Sequence, residues 1–155
     1  MSEVLHLLHL EDDMADRELI PALLGAGGYE VHSSPVASRA EYEAALARGG
    51  MDVILADCRL PGFDGNEALV LARERCPEVP FLFVSGFIGE EAALESLRHG
   101  ATDYVFKHNL ARLVPAVRRA LGEARLQRQR REAEAALQER EADRKSTRLN
   151  SSHRT

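Results

Sequence analysis

A chain of 155 residues has the size of one domain and can bury a core without disulfides or a structural metal. Its hydrophobic share of 45% and charged share of 29% exclude a disordered, collagen-like or disulfide-scaffold protein. The net charge of −5 hides two unlike parts: residues 1–121 carry 11 Lys+Arg against 19 Asp+Glu, and residues 122–155 carry 9 against 6.

Residues 4–10 form a short apolar strand candidate that ends abruptly in Glu11-Asp12-Asp13. Residues 14–24 have apolar side chains at helical spacing and stop at Gly25. Residues 29–33 read as a second strand, residues 37–48 as a helix halted by Gly49-Gly50, and residues 53–56 as a third strand running into Asp57. Pro61, Gly62 and Gly65 mark residues 60–65 as a loop. A helix over 66–75 stops before Pro77. Residues 81–84, 90–98 and 104–106 read as strand, helix and strand, and the chain is helical by pattern from about Leu113. Pro115 suits a first helical turn and puts the regular helix near Val114.

Strands that alternate with helices imply βα units, an α/β fold and a parallel sheet with helices on both faces. The continuous apolar runs at 53–56 and 81–84 fit strands buried on both sides.

Composition shifts after residue 121. Residues 122–144 are rich in Ala, Arg, Glu, Gln and Leu, all good helix formers, and form a helical extension. Its apolar stripe is thin, and Arg128 and Arg131 interrupt the seam begun by Leu113, Val117 and Leu121. Both a dimeric coiled coil and a solitary solvated helix stay open. Residues 145–155 break the pattern with Ser, Thr and Asn, read as a non-native tail, and are set aside.

The acidic first part disfavours direct nucleic-acid binding, and the mixed tail is no polybasic arm. No apolar run nears the ~20 residues of a membrane helix. The N-terminus lacks the basic region and cleavage site of a secretory signal. Cys58 and Cys76 form no CxxC. Together these point to a reducing cytoplasm and no membrane contact.

Ligands of an open parallel sheet bind beyond the carboxyl ends of its strands. Those ends carry Glu11, Asp12 and Asp13, then Asp57, then Ser85-Gly86, then Lys107. Clustered carboxylates repel one another unless a cation compensates. Mg²⁺ suits such oxygen donors. Lysine and serine can hold phosphoryl oxygens, and an aspartate can attack phosphorus to give an acyl phosphate.

These residues resemble the receiver domains of two-component response regulators. The resemblance rests on LEDD at 10–13, ILADCRLPGFDG around Asp57, Ser85-Gly86, and DYVFK ending in Lys107, and it spans residues 4 to about 121. It implies a flavodoxin-like, five-stranded parallel sheet of order 2-1-3-4-5 in a receiver domain over 1–121. It further implies Asp57 as phosphoacceptor and Mg²⁺ as cofactor. The metal would be held by Asp12 directly, Glu11 through water, Asp57, and the Arg59 backbone carbonyl. Ser85 and Lys107 would contact the phosphoryl group, and Ser85 with Tyr104 would form the switch. The donor would be a sensor histidine kinase or phosphotransfer domain, and the C-terminal helix would serve a homodimer or link to further domains, as in hybrid sensors. On this reading no DNA-binding output domain is expected after residue 121.

The chain departs from the family at His108, which follows Lys107 where proline in a cis peptide is usual; a trans Lys107–His108 bond is expected. Arg59 and Phe87 each lie two residues past a site residue, and their bulk suggests slow hydrolysis of the phospho-aspartate. Cys58 reads as a small buried filler, and His6, His9, His32, His99 and His108 as structural or surface residues.

Two other readings compete. A Mg²⁺-dependent phosphatase with an aspartyl nucleophile needs a second acid two residues on, where Arg59 stands. A flavodoxin-like FMN binder needs a phosphate loop after the first strand, where three acids would repel it.

Overall fold

Short apolar runs between amphipathic stretches settle the architecture. The structure, a computed structural model, describes residues 2–86 and 90–152. The strands are β1 (Glu3–Leu10), β2 (Tyr29–Val36), β3 (Val53–Ala56), β4 (Arg59–Leu60), β5 (Phe63–Asp64), β6 (Phe81–Ser85) and β7 (Asp103–Phe106). The helices are α1 (Met14–Ala26), α2 (Arg39–Arg48), α3 (Gly65–Arg75), α4 (Glu90–Arg98) and α5 (Leu113–Ser152), with a 3-10 turn over Lys107–Arg112.

Every residue of β3 and β6 is buried, so both lie inside the sheet. The sheet is parallel and runs β2-β1-β3-β6-β7. The hairpin β4-β5 stands apart as an antiparallel pair around Pro61-Gly62. With it set aside, the order is the expected 2-1-3-4-5.

Side chains alternate across a strand, so β1 feeds two cores. Leu8 and Leu10 pack with Tyr42, Leu69, Phe83 and Tyr104 on the side of α2 and α3. Leu5 and Leu7 pack with Ile20, Leu24, Leu113 and Val117 on the side of α1 and α5. Helices therefore cover both faces, as the apolar strand runs require.

Several boundaries differ from the sequence reading. Helix α1 runs through Gly25 to Ala26 and closes where Gly27 N–H donates to the Leu23 and Leu24 carbonyls. Strand β2 extends through Pro35 to Val36, because it is an edge strand whose outer side needs no ladder donor. Ser38 rather than Ala37 opens α2, accepting the Glu41 N–H. Ser85 is the last residue of β6 rather than the first of the loop. The loop at 60–65 holds the β4-β5 hairpin.

Helix α5 starts at Leu113 with Pro115 in its first turn. It continues without a break through Gly122 and past 145, and no Gly or Pro follows residue 122. Residues 125–147 are exposed throughout. Among the described residues every peptide bond is trans, Lys107–His108 included. No helix among the described residues is long and apolar enough to cross a membrane.

Candidate phosphoacceptor site

Each site residue sits where a strand ends. The acids after β1 divide their work. Asp13 caps α1, its side chain accepting the Asp16 N–H at 3.1 Å. Glu11 turns inward and is 1% exposed. Its Oε1 accepts the Asp13 N–H at 3.1 Å, and its backbone carbonyl accepts Arg17 Nε at 2.6 Å. Asp12 is exposed at the rim.

Asp57 follows β3, its backbone held by an N–H bond to the Leu10 carbonyl at 2.9 Å. Its Oδ1 accepts Ser85 Oγ at 2.8 Å and the Arg59 N–H at 3.3 Å. Its Oδ2 accepts Lys107 Nζ at 2.9 Å. Lys107 also donates to Glu11 Oε2 at 3.2 Å and to Asp16 Oδ2 at 2.7 Å. The ammonium thus gives all three protons to carboxylates.

Electrostatics follow from this packing. Burial works against a charge on Asp57, but hydrogen bonds from Lys107 and Ser85 outweigh it and hold its carboxyl below the usual range. Burial pushes Glu11 up to about 7, with the Asp57 charge adding to the push. Burial opposes the Lys107 charge as well, and the hydrogen bonds to Asp16 and Asp57 raise it regardless.

Ligand oxygens of Glu11, Asp12 and Asp57 lie within 4.8 Å of one another. Three hard oxygen donors so close fit a small divalent cation, which would take the place of the proton that burial favours on Glu11. Asp57 is 13% exposed at its side chain, open enough to be reached and shielded enough to be selective.

The sequence profile of the response regulator receiver domain matches residues 7–118. The chain belongs to that family. It is a phosphoacceptor signal-receiver module, and nothing supports the phosphatase alternative.

Relatives agree with the placement. The response regulator protein FleR of Pseudomonas aeruginosa is 36% identical over 119 residues, which cover 76% of this chain and 25% of FleR. The nitrogen assimilation regulatory protein NtrX of Azorhizobium caulinodans is 32% identical over 136 residues, covering 85% of this chain and 29% of that protein. The chain therefore spans about a quarter of these curated relatives. Among solved structures, the CheY-like receiver domain protein of Methanospirillum hungatei superposes with a TM-score of 0.70 at 27% identity, covering 81% of this chain and 99% of that one. NtrX of Brucella abortus gives 0.75 at 25% identity over 84% of this chain and 30% of that one.

The receiver brings together Glu11, Asp57, Ser85 and Lys107 as the sequence suggested, with Asp12 at the rim. Arg59 enters through its N–H. Tyr104 is 3% exposed, packed between Phe83 and Phe106, with its hydroxyl 3.5 Å from Cys58 Sγ. Cys58 is thus half-buried and paired with the tyrosine, more than a filler. His108 stacks on Phe106. His9 is 2% exposed on β1, and its Nδ1 has no hydrogen-bond partner among the described residues. Phe87 lies outside the described residues.

Asp16 was not found by reading the sequence. It lies one turn into α1, where an acid reads as a complement to the helix dipole. The only signal was its place four residues after Asp12, on the turn that faces the strand ends.

Proposed function

We propose that this receiver takes a phosphoryl group from the phosphohistidine of a sensor histidine kinase or phosphotransfer domain onto Asp57. An Asp57 oxygen attacks phosphorus, the P–N bond breaks, and the imidazole leaves with the bonding pair. The hydrogen bonds that keep Asp57 ionised support this role, since a protonated carboxyl is no nucleophile. Lys107 and Ser85 are placed to donate to phosphoryl oxygens once the acyl phosphate forms. Glu11, Asp12, Asp57 and the Arg59 carbonyl would hold Mg²⁺. The metal, when bound, supplies charge neutralisation for the incoming phosphoryl group.

The close contact of Ser85 with Asp57, and of Tyr104 with Cys58, supports Ser85 and Tyr104 as the switch. A Ser85 drawn toward a phosphoryl oxygen leaves space beside Tyr104, and the equilibrium of the adjoining face of α4, β7 and α5 shifts with it. The module signals rather than turns over a substrate. It works in the cytoplasm, without direct nucleic-acid contact of its own. Its extension pairs with a second copy through Leu126, Ala133 and Leu137, all three of which stand exposed. The bulk of Arg59 beside Asp57 slows attack of water on the acyl phosphate.

The carrying observation is the convergence of Lys107, Ser85 and Glu11 on Asp57. The test is incubation with acetyl phosphate and Mg²⁺ followed by peptide mass mapping. One phosphoryl group on Asp57, absent in Asp57→Asn and without Mg²⁺, is the expected result. Label elsewhere, or none, refutes the reading. Sedimentation of wild type and Leu137→Glu tests the dimer: only the wild type should self-associate.

A further inference from the structure

Lys107 shares its three ammonium protons among Glu11, Asp16 and Asp57. Two of these acceptors have a second duty. Glu11 and Asp57 belong, with Asp12, to the group of carboxylates close enough to hold a metal. Loading the site with a cation and modifying Asp57 would draw both away from the lysine. Among the described residues, Asp16 stands outside that group, and it makes the shortest of the three contacts, at 2.7 Å.

Its position is built rather than incidental. The Asp16 N–H is tied to the Asp13 cap at 3.1 Å, which fixes the first turn of α1. The neighbouring Arg17 gives its Nε–H to the Glu11 carbonyl and turns its Nη1 to Met14 Sδ, and among the described residues no ion pair joins it to Asp16. Asp16 and Lys107 are each 22% exposed at their side chains, so water screens the pair only in part. The contact joins segments 91 residues apart in the chain.

We propose that Asp16 is a positioning residue that keeps the Lys107 ammonium seated over Asp57 while the site is loaded and modified. Lys107 then needs to redirect only the proton facing Asp57 toward a phosphoryl oxygen. Without Asp16 it would lose two of its acceptors on loading, and its long side chain would regain rotamer freedom. The inference rests on the receiver reading of this site and adds to it a residue with no duty toward the metal.

The test is a double-mutant cycle on the full chain with Asp16→Asn, Lys107→Met and both together, read as the acetyl phosphate labelling rate in Mg²⁺. Asp16→Asn should slow labelling roughly threefold to tenfold, as loss of a partly screened charged hydrogen bond implies. In the Lys107→Met background it should change the rate by less than about twofold. A second readout is independent of phosphorylation: acetylation of the Lys107 amine by a small anhydride, followed by mass spectrometry on protein holding Mg²⁺ and beryllofluoride. Lys107 should react several-fold faster in Asp16→Asn than in wild type. Equal acetylation rates, or an Asp16→Asn effect that persists without Lys107, would overturn the inference while leaving the receiver reading intact. Wild type that takes up no phosphoryl group would overturn both.

Discussion

At the scale of single residues, the site is a contest over one lysine, and the residues beneath it carry the pH response. His9 lies buried under the cluster, and burial lowers it to about 4, with Lys107 and Arg17 adding to the shift. An unfolded histidine titrates near 6.5, so below that pH the unfolded chain takes up a proton that the folded chain refuses. Stability therefore falls from pH 6.5 toward 4, by about 1.4 kcal/mol per pH unit at most. Glu11 acts in the opposite sense. Its value of about 7 exceeds its unfolded value of 4.5, so between those limits the folded state binds the extra proton and stability falls as pH rises. The two slopes oppose each other over much of the same window. His9→Val should unmask the Glu11 slope. Urea midpoints at pH 5 and pH 7 should then show the variant gaining stability on acidification relative to wild type. Parallel shifts in both proteins would show that His9 is not buried neutral. Glu11, Asp57, Ser85 and Lys107 were legible in the sequence because each stands at a strand end, where the chain direction alone aims it at the site. Asp16 was not, because a helical acid has a sufficient local reason to exist, and its partner lies 91 residues away.

At the scale of elements, the approach of α3 to the loop after β3 depends on one glycine. A Cβ built on Gly65 would lie 2.8 Å from the Asp57 carbonyl and 2.9 Å from Phe83 Cε1. The Gly65 N–H also donates to the Cys58 carbonyl at 3.1 Å, so the start of α3 and the phosphoacceptor loop are one packed unit. Gly65→Ala should cost about 1–3 kcal/mol, the usual scale of overpacking, and should slow labelling of Asp57 by displacing its loop. Chemical denaturation with a labelling assay on the folded fraction checks both; a neutral substitution would mean that the loop yields freely. Element types were readable because period-two and period-3.6 patterns are distinct. Ends were less so. The second strand was read as ending at residue 33, yet an edge strand tolerates Pro35 and runs on to Val36, and Gly25 looked like a stop, yet the Gly27 cap lies two residues later. The helix after 121 was plain from composition. Its partner was not, because a thin apolar stripe fits both a seam and a solvated face.

At the scale of the whole molecule, a parallel sheet collects residues from 11 to 107 at one edge and loads that edge with negative charge. The fold holds these acids together at a cost in repulsion that Lys107 offsets in part and a bound cation would offset further. Mg²⁺ held by these acids would bind the folded state and not the unfolded chain, so it should raise the melting temperature with the logarithm of its concentration. The effect should strengthen as pH rises through about 7, because Glu11 must shed its proton to serve. Calorimetric scans at pH 6 and pH 8 check the sign, and a greater Mg²⁺ shift at pH 6 would contradict it. The measurement that bears most directly on the central claim is calorimetric titration of beryllofluoride into the Mg²⁺-loaded protein, with Asp57→Asn alongside. One equivalent bound by wild type, and none by Asp57→Asn or by wild type without Mg²⁺, is the outcome this account requires. Equal binding by both proteins, or binding that ignores the metal, would contradict a phosphoacceptor built from Asp57, its neighbouring acids and Lys107.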